Sequence, residues 1–165
     1  MFTASMVRVR RDASRRNFLD EAVGKGVVHL AAHAKLDAID PIYSAVLMTG
    51  GIRPGRLEAK EIAMLDLRAT KLLTLSACDS GLGRVSRGDD FYGFQGALMA
   101  AGAQNIVVSM WPVDDSATQT LMTDFYASAT KTNLGNALQS AIRKMASTKE
   151  TAHPFFWAPF RLVSR

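Results

Sequence analysis

The chain has 165 residues, 48% apolar and 21% charged, with one cysteine and a formal net charge of +5. That length suits one domain with a real core, which excludes disorder as the main state, and a lone cysteine excludes an intrachain disulfide or a Cys-rich zinc site. No run reaches the roughly 18 apolar residues of a membrane span, and no apolar stretch of signal-peptide kind follows the basic N-terminus, so a reducing, cytoplasmic setting is the expectation.

The charge surplus sits at the start, where Arg8, Arg10, Arg11, Arg15 and Arg16 face a single acid, Asp12. Val7 and Val9 alternate with Arg8 and Arg10, which predicts an edge strand with one solvated face. A docking edge is preferred to nucleic-acid binding, because no recognition helix, zinc finger or RNA-reading aromatic pattern accompanies the basic balance. Phe18, Leu19, Ala22 and Val23 at helical spacing predict a helix over 13–23, with Gly24 as its stop. Val27 to Leu30 reads as a buried strand and Ala45 to Met48 as another, ended by a turn at Thr49-Gly50-Gly51. A surface excursion then leads to a short helix over Leu57–Leu65.

Lys71 to Leu75 reads as a central strand running into the small-residue turn Ser76-Ala77-Cys78-Asp79-Ser80-Gly81. Asp89 or Asp90 caps a predicted helix carrying Phe91, Phe94, Leu98 and Met99, closed by Gly102. Ile106 to Val108 is the next strand. Asp115 or Ser116 caps a helix through Leu121, Met122, Phe125 and Tyr126, Asn133 to Met145 forms a further helix, and the aromatic tail His153 to Val163 returns as a last strand. Alternating strands and helices predict an α/β fold, a mostly parallel sheet with helices on both faces. In such sheets the active groups leave the carboxyl ends of strands.

Two strand ends hold reactive residues. His33 follows the strand at 27–30 and Cys78 follows the strand at 71–75, 45 residues apart. If the strands are parallel neighbours, both side chains emerge at one edge of the sheet. An imidazole there can take or hold the thiol proton, and the thiolate is a nucleophile for acyl transfer. Small neighbours let main-chain N–H groups approach a substrate carbonyl. Cys78 alone reads equally well as a small buried residue. Gly81-Leu82-Gly83 is not a dinucleotide fingerprint, since the next glycine is Gly88, so no cofactor is expected. His29 reads as a core or supporting histidine and His153 as part of an aromatic cluster with Phe155, Phe156 and Trp157. No metal is expected, because His29 and His33 lack the i, i+4 geometry of a helix.

The run TKLLTLSACDSGLGRVSRGDDFYGFQGALMAAGAQNIVVSMWPVDDSATQTLMTDFY, with HLAAHA before it and HPFFWAPFRLV after it, resembles the CHAT domain, a branch of the caspase and separase clan of cysteine peptidases. The resemblance covers about residues 13 to 163 and implies a three-layer caspase-like fold. On this reading 1–165 is a single domain, N-terminally short, lacking the first strand and helix of the family. The implied roles are His33 as catalytic base, Cys78 as nucleophile, and the N–H groups of Ala34 and Cys78 as the oxyanion hole. The roughly 50-residue His-to-Cys separation of caspases agrees.

The resemblance also implies a substrate groove along 108–115. There the strand backbone pairs with an extended peptide, Trp111 floors a side-chain pocket, and Asp114 or Asp115 meets a basic P1 residue. A helix N-cap is an equal reading of the two aspartates. The implied partners are a protein or peptide substrate and a regulatory protein or helical-repeat domain. The alternative is a catalytically silent scaffold that binds a protein through the same groove.

Overall fold

The computed structural model describes residues 5–37, 39–49, 55–79 and 90–165, with the backbone alone at 77–79 and 90–93. Its centre is a six-stranded sheet of order β3-β2-β1-β4-β5-β6, formed by β1 (Val27–Lys35), β2 (Ala45–Met48), β3 (Gly55–Glu58), β4 (Leu72–Asp79), β5 (Asn105–Ser109) and β6 (Phe160–Ser164). The inner ladders β1–β4 and β4–β5 are parallel. The outer ladders β1–β2, β2–β3 and β5–β6 are antiparallel, so the sheet is mixed, with four of six strands running the same way.

Helices cover both faces, as the alternation of strand and helix predicts. Leu73, Leu75, Ile106 and Val108 pack with α1 (Arg15–Glu21), α2 (Ala59–Ala63) and α3 (Asp90–Ala100), where Phe94 and Leu98 are fully buried. Leu72, Val107 and Phe160 pack on the other face with α4 (Asp115–Ala129) and α5 (Leu134–Ala146), around Phe125 and Leu121. Each such side chain removed from water contributes about 1.5–3 kcal/mol, which fixes which pleat positions point each way. This mixed, layered α/β architecture is compatible with a caspase-like fold.

Four of the five predicted helices hold closely. Ser14 caps α1 by accepting from the Asn17 N–H, and Gly24 follows at φ 77°. Asn133 caps α5 by accepting from the Asn136 N–H. Gly102 ends α3 at φ 101°, where a Cβ would stand 2.7 Å from Arg68 Cγ. The cap of α4 is Asp114, one residue before the predicted pair.

Four expectations change. Val7–Val9 is irregular rather than an edge strand: Arg8 turns to Glu21 in a two-pronged ion pair, and Arg10, at φ 52°, opens a 3-10 turn. The segment meets the sheet through the Thr49 hydroxyl, which donates to the Arg10 and Ala13 carbonyls, and a Ser14–Thr49 bridge. The predicted helix at 57–65 is instead β3 followed by one short helix, with Leu57 fully buried and Glu58 and Glu61 forming a reciprocal cap. Strands β1 and β4 both run past their predicted ends, β1 to Lys35 and β4 through the start of the predicted turn at Ser76 to Asp79. The aromatic tail first forms a 3-10 turn, Pro154–Phe156, and only then β6. The turn at Gly50-Gly51, the glycines 81, 83 and 88, and an Asp89 cap lie outside the described residues.

Candidate active site

The continuation of β1 and β4 decides the geometry. In their parallel ladder Val27 stands opposite Leu72, and the register runs unbroken to His33 opposite Cys78 and Ala34 opposite Asp79. Adjacent strands lie about 4.8 Å apart, and opposite residues of a parallel pair share a face. His33 and Cys78 are therefore neighbours in the carboxyl-terminal part of two central strands. They lie inside the strands rather than on loops after them. His33 is exposed to solvent.

Ala34, the proposed second oxyanion donor, is only 1% exposed and is paired on both sides, with Val46 of β2 and Asp79 of β4. Strand β5 lies on the other side of β4, with Leu75 opposite Val108. That ladder ends there, and Trp111 lies in the bend that follows the last strand residue, Ser109. Trp111 is half-buried, and its indole N–H donates to the Phe155 carbonyl at 3.3 Å, so the 3-10 turn of the tail holds it. That turn is closed by His153, whose Nδ1 accepts from the Phe155 N–H, and by an edge-on Phe155–Phe156 pair.

Asp114 and Asp115 are exposed, at and just inside the start of α4. The Asp114 carboxylate accepts from the Ser116 hydroxyl at 2.6 Å and the Ala117 N–H at 2.8 Å, and these bonds hold its pKa below the ordinary carboxylate value. Its capping role is present in the geometry. Asp115 is the first helical residue, beside the positive end of the helix dipole.

Sequence reasoning missed a polar cluster on this face. β1 places His29, Ala31 and His33 on one side of its pleat, and β4 places Thr74, Ser76 and Cys78 on the matching side. Between the strands and α4, His29 Nε2 lies 2.8 Å from Ser76 Oγ and His29 Nδ1 lies 3.2 Å from the Tyr126 hydroxyl. The Tyr126 hydroxyl donates to Thr74 Oγ1 at 2.8 Å. With that proton committed to Thr74, Tyr126 accepts from Nδ1–H, leaving Nε2 to accept from Ser76. The set is satisfied by a neutral imidazole. His29 keeps one edge in solvent, yet desolvation holds its pKa below 6.5, and burial raises that of Tyr126. The available signal was the alternation of Thr74 and Ser76 between leucines, which marks a polar file on one face of a buried strand.

Among the described residues no helix is long and apolar enough to cross a membrane. Tetratricopeptide repeat protein 28 of Mus musculus is 36% identical over 102 residues, and its Homo sapiens counterpart is 33% identical over 102 residues. Each alignment covers 61% of this chain and 4% of the relative, so the chain spans a small fraction of the length of these curated relatives. The CHAT domain family model matches residues 2–165, and with His33 and Cys78 in register inside a layered α/β sheet, the chain belongs to the CHAT domain family, part of the cysteine peptidase-like superfamily.

Proposed function

We propose that the chain is a cysteine endopeptidase working through a His33–Cys78 dyad. The observation that carries this reading is the register of the β1–β4 ladder, which sets the two residues opposite each other. The Cys78 sulfur attacks a peptide carbonyl, the C–N bond breaks, and His33 gives its proton to the leaving amine. The thioester is then hydrolysed by a water from which His33 takes a proton. The N–H groups of Ala34 and Cys78 are the oxyanion donors on this reading. Trp111, half-buried in the bend after β5, supports a side-chain pocket beside the groove, and exposed Asp115 supports a preference for a basic P1 residue. Asp114 joins it only if its carboxylate serves the cap and the pocket together.

The tetratricopeptide names of the relatives support regulation by a helical-repeat partner. The exposed apolar residues Met6, Val7 and Val9, interleaved with arginines on irregular chain, offer it an apolar and basic surface.

The test is covalent. Cys78 is the only cysteine, so a peptidyl electrophile that modifies the folded protein at a thiol reports on that residue alone. An adduct on wild type that is lost in Cys78→Ala, together with cleavage products absent from Cys78→Ala, is the expected result. A folded chain that forms no adduct leaves the scaffold reading, in which the groove binds a protein without cutting it.

A further inference from the structure

We propose that His29, Tyr126 and Ser76 are positioning residues for the His33–Cys78 pair, forming a hydrogen-bonded crosspiece that holds β1, β4 and α4 in fixed relation. The inference rests on the reading of that pair as catalytic.

All three elements contribute to the crosspiece, β4 with two polar groups and β1 and α4 with one each. His29 comes from β1, Ser76 from β4 and Tyr126 from α4, and Thr74 of β4 accepts the last proton. The cluster shares the face of His33 and Cys78 by register. At about 3.3 Å per residue, His29 lies roughly 13 Å from His33 along β1, and Ser76 roughly 7 Å from Cys78 along β4. His29 is thus too far to touch a scissile carbonyl held between the dyad residues, and can act only through the strands.

The surroundings show why a polar cluster is notable here. Val27, Leu72 and Phe125 on the same face make apolar packing, while Thr74 is fully buried and Ser76 is 7% exposed. Packing alone resists separation of two layers but tolerates small sliding. Directional bonds from two strands to one helix resist sliding, because a displacement of about 1 Å breaks them. The backbone ladder fixes the register of β1 on β4, so the motion the crosspiece resists is a shift of α4 over the two strands that changes their relative tilt toward His33 and Cys78, and a 1 Å error at a reacting centre can cost on the order of 10²-fold in rate. The same bonds tie down α4, whose first turn carries Asp114 and Asp115.

The experiment measures inactivation of the full chain by a peptidyl acyloxymethyl ketone, resolving the maximal rate kinact from the affinity KI. Tyr126→Phe, which removes one oxygen atom, and His29→Leu are expected to lower kinact about tenfold with KI within about twofold. Ser76→Ala is expected to act in the same direction. His29→Gln, whose amide oxygen can accept from Ser76, is expected to recover most of the loss. Ile62→Val, a cavity in the opposite layer, serves as the control that lowers the melting temperature and leaves kinact unchanged.

If His29→Leu does not fold, Tyr126→Phe decides alone. Unchanged kinact in Tyr126→Phe, or a change in KI instead, overturns the positioning role while the dyad reading stands. A wild-type protein that is folded yet never labelled overturns both.

Discussion

Thr74→Val exchanges a hydroxyl for a methyl in a fully buried site of equal shape, and so isolates one bond. In the variant the Tyr126 hydroxyl loses its acceptor 2.8 Å away. It can turn to His29 Nδ1 at 3.2 Å, provided the imidazole moves its proton to Nε2, where Ser76 Oγ at 2.8 Å can accept it. That rearrangement softens the loss to about 1 kcal/mol. Tyr126→Phe has no such escape. It orphans the buried Thr74 hydroxyl as well as His29 Nδ1, for a loss of about 2–3 kcal/mol.

In the double variant the Thr74 orphan is gone, so the combined loss falls short of the sum by about 1–2 kcal/mol. Urea unfolding followed by circular dichroism gives each free energy. At about 2–4 °C per kcal/mol for a chain of this size, thermal melts show Thr74→Val lower by about 2–4 °C. Tyr126→Phe is lower by about 4–12 °C on the same scale. Losses that add to within about 0.3 kcal/mol would refute the bond as drawn, because two groups that do not meet have no coupling to lose.

The imidazole makes a second prediction. Folding favours its neutral form, since its pKa in the native protein lies below the ordinary 6.5. The stability this contributes is complete above the unfolded value and is lost as pH falls through the lower native one. Melting temperatures measured from about pH 7 down to about pH 5 should fall more steeply for wild type than for His29→Gln, and parallel curves would remove His29 from the account. The two aspartates at the start of α4 separate by function. Asp114→Ala should lower the melting temperature by removing the cap, and Asp115→Ala should shift P1 preference in a peptide library away from basic residues. If both substitutions leave P1 preference unchanged, the acidic pocket is abandoned.

The helices were legible where their ends carry their own chemistry: Asn133, Gly24 and Gly102 start or stop a helix by local bonds and backbone angles, while the Ser14 cap went unread. The inner strands were legible as apolar runs, but their carboxyl ends were not. AAHAK and SACD are small and polar, which resembles a turn, and only pairing with a neighbouring strand keeps them extended. GRLE failed for a related reason, since a four-residue strand flanked by charges owes its form to Met48, Leu47 and Val46 opposite. At the N-terminus a local alternation at Val7 to Arg10 did not become a strand, and Arg8 pairs with Glu21 there.

The placement of His33 beside Cys78 was legible from residue type and from their positions at the ends of two predicted parallel strands. The His29 cluster was not, because its partners come from 47 and 97 residues away, and the alternation of Thr74 and Ser76 with leucines marks a polar file without naming what meets it.

The two strands that hold His33 and Cys78 are neighbours in space but not in sequence, since β2, β3 and α2 are made between them. Their pairing therefore closes a loop of 45 residues, an entropic debt that is repaid only when the whole ladder from Val27 to Asp79 zips together. A chain still emerging from the ribosome, with β1 made and β4 not, contains the histidine without a partner. On the proposed dyad reading, chemical competence at this site is a report on the completeness of the sheet, and a half-made or locally unravelled molecule would be silent by construction.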